Sequence, residues 1–193
     1  MELNILASES PRRRDLLRKI GFNFSVVKSD FREDIKTDIP PNALAETIAR
    51  GKALKVARTH ENHIIIGSDT IVYADGKVFG KPRTEGECFE MLKRLSGKSH
   101  EVITGVSLVS FYKNIDHSFN QRTVVKLNKI SDKEILNYVE NNSCLDKAGG
   151  YGIQGRFSVF VEKIDGCYFN VVGFPLSKFC KHYKKIINSF EKI

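Results

Sequence analysis

The chain has 193 residues, of which 41% are hydrophobic, and a formal net charge of +8 at pH 7. A chain of this size can bury a core of its own without disulfides or a structural metal, and the composition is typical of an ordered globular protein. The positive charge favours anionic partners such as nucleotides, nucleic acid or an anionic membrane, without choosing among them.

Hydrophobic periodicity and turn residues predict strands and helices that alternate at first, followed by antiparallel strand pairs. The predicted strands cover residues 3–7, 22–28, 63–67, 71–74, 77–79, 100–112, 117–128, 157–164 and 167–172. The predicted helices cover residues 11–20, 42–59, 84–95 and 131–140, and a last helix begins at residue 175. This order favours an α/β fold with a mixed sheet over a purely doubly wound one.

Capping and turn residues support several of these boundaries. Ser10, directly before a proline, is the predicted N-cap of the first helix, and Ile20 is expected on its inner face. Turns at Asp75-Gly76 and Asp165-Gly166 are expected to join antiparallel strands. The predicted capping boxes are Thr84 with Glu87 and Ser131 with Glu134.

The segment LASESPRR at residues 6–13 ends a strand, turns and opens a helix. The free backbone N–H groups at such a terminus carry partial positive charge and suit a phosphate. Ser8 adds a hydroxyl donor, and Arg12 and Arg13 add planar guanidinium groups that can grip phosphate oxygens in pairs. From these residues alone, a phosphate site and a capped surface helix are equal alternatives.

A polar segment, Gly67-Ser68-Asp69-Thr70, follows the predicted strand 63–67. Open α/β sheets bind ligands at the carboxyl ends of their strands, where Asp69 could hold Mg²⁺ or orient a water molecule. The alternative is an aspartate that caps a turn. Lys81, beyond the Asp75-Gly76 turn, could return beside Asp69, although such a pair is also common on surfaces.

Acidic residues Asp30, Glu33 and Asp34 lie in a predicted loop over residues 29–41. Mg²⁺ prefers oxygen ligands and takes one or two carboxylates together with substrate phosphates. The alternative is a set of solvated surface charges.

A glycine-rich segment at residues 146–155 contains Gln154. Its side-chain amide has one donor group and one acceptor and could read the edge of a base. Residues 150–155 also fit G-x-G-x-x-G, but they follow a helix and precede a strand, the reverse of the order in a dinucleotide site. An ordinary structural loop is the alternative.

Together, LASESPRR, GSDTIV with GKP, and DKAGGYGIQG followed by NVVGFPL resemble the Maf family of nucleotide pyrophosphatases. The resemblance covers nearly the whole chain and implies a single domain over residues 1–193. It further implies an elongated mixed-sheet fold, similar to that of inosine triphosphate pyrophosphatases, with two lobes around a central cleft.

The resemblance also implies an activity: hydrolysis of nucleoside triphosphates to the monophosphate and diphosphate with a divalent cation, Mg²⁺ or Mn²⁺. The YGIQG form is similar to the dTTP/UTP branch of the family. The implied catalytic residues are Asp69, Glu33 and Lys81, and the implied metal ligands are Glu33 and Asp69. The implied substrate-binding residues are Ser8, Arg12, Arg13, Lys52, Thr70 and Gln154.

Two alternatives stay open: hydrolysis of 7-methyl-GTP, and a non-enzymatic role in binding nucleic acid or the division machinery. The second would use a basic helix face with Lys178, Lys181, Lys184 and Lys185. We expect a cytoplasmic homodimer with reduced thiols and neither nucleic acid nor membrane as its main partner. No segment approaches the roughly 20 apolar residues of a membrane span.

Overall fold

The computed structural model describes residues 4–31, 39–141 and 144–190. The chain divides into two compact units. The first unit contains Met1–Asp69, Thr104–Gln121 and Gly173–Ile193, and the second contains Thr70–Ile103 and Arg122–Val172. The single domain expected over residues 1–193 stays a prediction.

Within the described ranges, seven strands form one mixed sheet. They are β1 (Asn4–Leu6), β2 (Ser25–Val26), β3 (Ile64–Ala74), β4 (Lys77–Phe79), β5 (Ser99–Ser110), β6 (Ile115–Leu127) and β7 (Val161–Asp165). Their order is β2-β1-β3-β5-β6-β7, and β4 pairs with β3. β1 runs parallel to β2 and β3, whereas the β3–β4 and β6–β7 pairs are antiparallel. The predicted α/β fold with a mixed sheet is confirmed.

Six α-helices lie within the described ranges, none of them long and apolar enough to cross a membrane. They are α1 (Pro11–Lys19), α2 (Pro41–Ala57), α3 (Glu85–Leu95), α4 (Asp132–Asn141), α5 (Tyr168–Val172) and α6 (Leu176–Phe190). The box of Ser131 and Glu134 is complete, with reciprocal bonds of 2.8 and 3.3 Å. Thr84 caps α3, but the carboxylate of Glu87 accepts from the N–H of Arg83, so that box has one of its two expected bonds.

The predicted strand over residues 167–172 is wrong, because most of this segment forms α5. Asn170 is fully buried, and its Nδ2 donates to the carbonyl oxygen of Val102 and to Oγ1 of Thr123, both at 2.9 Å. The N–H of Cys167 also donates to the Thr123 hydroxyl, at 3.1 Å. These tertiary hydrogen bonds outweigh the strand preference of the valines in the segment.

Three smaller expectations also differ from the structure. The strand expected over 22–28 is only two residues long, and the segment expected as strand 157–164 begins with a 3₁₀ helix, Arg156–Phe160. Ile20, expected in the core, is 42% exposed because α1 ends at Lys19.

Helix α2 approaches the sheet of the first unit at two glycines. A Cβ atom on Gly67 would lie 2.0 Å from the carbonyl oxygen of Ala49, and one on Gly105 would lie 2.2 Å from that of Ala45. Both alanines are fully buried. Because no Cβ fits at either distance, the two glycines let the backbone of α2 lie directly against β3 and β5.

Candidate functional site

Asp69 lies inside β3, and the prediction that the strand ends at residue 67 is wrong. Leu6, the last residue of β1, pairs with Ile66, so Asp69 is three residues beyond the end of β1. There the chain leaves β1 and turns into α1. Asp69 is therefore past the carboxyl end of a parallel neighbouring strand, the kind of position at which α/β sheets bind ligands.

Asp69 forms an ion pair with Lys52 of α2. Alternate residues of a strand share a face, so Asp69 is on the side of Gly67, where α2 packs. Lys52 Nζ donates to Oδ1 of Asp69 at 2.5 Å, and the two side chains are only 15% and 12% exposed. Two charges so largely removed from water depend on each other far more than a surface pair does. The structure therefore joins two of the expected site residues.

The turn before α1 is held by a buried arginine. Arg13 Nε donates to the carbonyl oxygen of Gly173 at 3.0 Å, and Nη1 donates to the Ser8 hydroxyl at 3.2 Å. The Ser8 oxygen also accepts from the N–H of Ser10, at 3.3 Å. At least two Arg13 nitrogens thus bond to protein oxygens, and the guanidinium fixes the turn. Sequence reasoning singled out NVVGFPL as a motif but did not foresee the role of Gly173.

Four further site residues expected from the sequence are described. Arg12 lies half-buried on α1 of the first unit. Thr70, Lys81 and Gln154 belong to the second unit, where Thr70 is half-buried and the other two are exposed. The expected return of Lys81 beside Asp69 stays a prediction.

A divalent cation was expected on Glu33 and Asp69, but Glu33 and the neighbouring Asp34 lie outside the described residues. Across residues 4–31, 39–141 and 144–190, no group of three or more His, Cys, Asp or Glu side chains could hold a metal ion. Mg²⁺ needs only one or two protein carboxylates where substrate phosphates supply other oxygens. The carboxylate of Asp69, a hard oxygen donor that is 12% exposed, fits that requirement.

The glycine-rich segment that carries Gln154 packs closely against other parts of the second unit, to which it belongs. The N–H of Gly149 donates to the carbonyl oxygen of Gly80 at 2.9 Å. Both Gly149 and Gly150 have positive φ, and a Cβ on Gly150 would lie 2.7 Å from Sγ of Cys88. Glycine is required here by backbone conformation and by close packing. These contacts fix the path of the segment before it reaches Gln154.

The basic face expected on the last helix is only partly available to a partner. Lys178 is half-buried, and its Nζ donates to the carbonyl oxygen of Asn120 at 2.6 Å, which ties α6 to β6. Lys181, Lys184 and Lys185 are exposed. Three solvated lysines on one helix are ordinary surface charge.

Comparison with known proteins identifies the family and several relatives of this chain. Residues 4–186 match the family of Maf-like proteins. The dTTP/UTP pyrophosphatase of Syntrophomonas wolfei is 47% identical over 173 residues, which cover 90% of this chain and 92% of that protein. The dTTP/UTP pyrophosphatase of Carboxydothermus hydrogenoformans is 44% identical over 180 residues, 93% and 96% of the two chains. The Ham1 protein of Staphylococcus aureus, a solved structure, aligns at 12% identity with a TM-score of 0.43, over 64% of this chain and 71% of that one.

Proposed function

Because the chain belongs to the family of Maf-like proteins, we propose that it is a nucleoside triphosphate pyrophosphatase that hydrolyses dTTP and UTP to the monophosphate and diphosphate. Relatives named dTTP/UTP pyrophosphatase, 44% and 47% identical over at least 90% of each chain, support this assignment. The observation that carries the chemistry is the pair of Lys52 and Asp69, a carboxylate held by an ammonium group three residues past the end of β1.

In the first unit, the proposal assigns phosphate binding to the start of α1. The hydroxyl of Ser8 is a donor for phosphate oxygens, and the N-terminus of α1 carries partial positive charge that attracts them. Arg12, half-buried on the same helix, adds positive charge. Arg13 keeps the turn in shape through its bonds to Ser8 and Gly173 and adds a second positive charge. The turn thus supplies a hydrogen-bond donor, and the helix terminus supplies favourable electrostatics.

Asp69 is assigned as the acid/base residue that orients and deprotonates water for in-line attack on the α-phosphorus. Lys52 fixes the direction of the carboxylate through the 2.5 Å bond. The ammonium of Lys52 also offsets negative charge that shifts to the departing diphosphate, which lowers the barrier electrostatically. A divalent cation held by Asp69, and by Glu33 as the resemblance implies, would neutralise phosphate charge and make the attacking water more acidic.

The remaining assignments rest on matches to the family's motifs. Thr70 and Gln154 are proposed to take part in substrate choice, and Lys81 to bind phosphate oxygens. We also propose a cytoplasmic homodimer with apolar residues of α6 in its interface, which analytical ultracentrifugation would test by mass.

The first experiment is a panel assay with Mg²⁺ or Mn²⁺. The substrates are the canonical triphosphates and 7-methyl-GTP, and the readout separates pyrophosphate from orthophosphate. The proposal expects pyrophosphate, fastest with dTTP and UTP. Orthophosphate alone would exclude it, and a marked preference for 7-methyl-GTP would replace the dTTP/UTP assignment.

The second experiment compares Asp69→Asn with Asp116→Asn. Asp116 forms a two-pronged ion pair with Arg50 in the first unit, but this pair is about half exposed. Removal of a positioned base costs roughly 10²–10⁴-fold in rate, so Asp69→Asn should lower kcat for dTTP by at least about 100-fold. Asp116→Asn should keep kcat near wild type. A folded Asp69→Asn protein with near-normal turnover would contradict the assignment.

A further inference from the structure

His100 is a buried histidine of β5 in the second unit, and sequence reasoning gave it no role. It is 2% exposed, and its Nε2 lies 2.6 Å from the hydroxyl oxygen of Tyr151. The two rings meet edge to face, with centroids 5.5 Å apart. Tyr151 is 6% exposed and belongs to the glycine-rich segment, three residues before Gln154. The pair thus connects the sheet to the segment that carries the expected base-reading amide.

The bond to Tyr151 is the main polar interaction of the His100 imidazole among the described residues. Its Nδ1 is buried and has no hydrogen-bond partner among the described atoms. Burial lowers the pKa of His100 to about 4, so the ring is neutral at pH 7 and offers one donor and one acceptor. A half-satisfied polar group in an apolar region is costly, and an aliphatic residue would avoid that cost. The bond to Tyr151 is what a histidine adds at this position.

Apolar contacts surround this bond but leave the direction of Tyr151 less defined. The Tyr151 ring stacks on Phe157 with centroids 4.6 Å apart, and both rings belong to the core of the second unit. Hydrophobic burial is non-directional, whereas a hydrogen bond depends on the angle between its partners. The bond therefore adds a directional constraint on the Tyr151 side chain that the apolar contacts do not supply.

The segment around Tyr151 is fixed on both sides of it. Before it, the N–H of Gly149 is bonded to Gly80 and the chain touches Cys88. After it, Ile153 is 6% exposed, and the next residue, Gln154, is exposed. The backbone of Gln154 therefore continues directly from a residue that is buried in the core of the second unit. A displacement of Tyr151 passes directly to Gln154.

We propose that His100 is a positioning residue for base selection: its hydrogen bond to Tyr151 holds the glycine-rich segment so that Gln154 meets a pyrimidine base. This inference rests on the proposed function. If the Gln154 amide is held at the distance that suits a pyrimidine, a smaller base leaves a gap and a larger base collides with the segment. Loss of the bond is therefore expected to weaken discrimination between dTTP and purine triphosphates more than it slows turnover of dTTP.

The test compares His100→Phe, Tyr151→Phe and the double variant. The readouts are kcat and KM for dTTP and dATP, and hydrogen exchange of the amides of residues 149–154 without nucleotide. Tyr151→Phe removes one oxygen atom and keeps the aromatic ring, so it is expected to fold. Each single variant should lower the dTTP/dATP ratio of kcat/KM about tenfold, the effect of one ordinary hydrogen bond, and the double variant no further.

Two controls separate positioning from plain stability. His100→Gln, whose amide nitrogen can reach the place of Nε2, should restore most of the ratio. Tyr183→Phe removes a different tyrosine hydroxyl, one that donates to Oδ1 of Asn4 at 2.8 Å in the first unit. It should leave both the ratio and the exchange of residues 149–154 unchanged.

Contrary outcomes are distinguishable. Folded His100→Phe and Tyr151→Phe proteins with a wild-type ratio would overturn the inference and leave the proposed function standing. An equal slowing of dTTP and dATP would also overturn it, because a structural role alone predicts that result. A wild-type protein inactive on every nucleotide would overturn the proposed function and this inference together.

Discussion

Replacement of Gly67 by alanine tests how the fold builds the site. The new Cβ would lie 2.0 Å from the carbonyl oxygen of Ala49, and real Cβ contacts are not shorter than 3.0 Å, so α2 must move by at least about 1 Å. Lys52 is three residues further along the same helix and would move with it. Overpacking against backbone costs about 1–3 kcal/mol of the free energy of unfolding. A misplacement of about 1 Å can lower a rate by roughly 100-fold.

The assay combines urea unfolding with kcat for dTTP at a temperature where the variant stays folded. Gly86→Ala is the matched control, since Gly86 is exposed in the first turn of α3 and a Cβ there would meet only Thr84 Oγ1, at 3.9 Å. That change should raise the free energy of unfolding by about 0.5–1 kcal/mol, because alanine is the better helix former, and leave kcat unchanged. Wild-type kcat in folded Gly67→Ala protein would refute the claim that this close approach positions Lys52.

Three further predictions concern stability and the turn before α1. The Ser68 hydroxyl is fully buried and has no hydrogen-bond partner among the residues that the structure describes, so Ser68→Ala should raise the free energy of unfolding in urea by about 1 kcal/mol. Ser107→Ala removes a 3.0 Å hydrogen bond and should lower the free energy of unfolding. Stabilisation by both substitutions, or by neither, would contradict this contrast. Burial lowers the pKa of His100 to about 4, so only the unfolded chain binds this proton at pH 5. The contribution of His100 to the free energy of unfolding is complete above pH 6.5. About 2 kcal/mol of this free energy should be lost between pH 7 and pH 5 in the wild-type protein, but not in His100→Gln. Equal losses in the two proteins would refute this prediction. Arg13→Lys loses the planar group that bridges Ser8 and Gly173 and should raise KM for dTTP several-fold; an unchanged KM would remove Arg13 from the account.

Features with local causes could be predicted from the sequence. The turn Asp75-Gly76 gives the expected hairpin, with Ala74 paired to Lys77. Ser131 and Glu134 form the expected capping box because both partners lie within one helical turn. The long strands β5 and β6 agree with their alternating apolar pattern to within a few residues.

Features that depend on distant residues could not be predicted from periodicity. Asp69 lies within β3 and its partner is Lys52 of α2, 17 residues away in the sequence. The Arg13 bond to Gly173 spans 160 residues. The valine-rich segment of α5 is helical because Asn170 bonds to two other parts of the chain. Lys52 was expected only from the resemblance, since no local spacing relates it to Asp69.

Hydrolysis of dTTP in ¹⁸O-labelled water tests the proposed attack at the α-phosphorus, because the label marks the phosphorus that water attacks. With attack at the α-phosphorus by water positioned at Asp69, the label should enter dTMP and be missing from pyrophosphate. Label in pyrophosphate, or in orthophosphate released together with dTDP, would contradict the account.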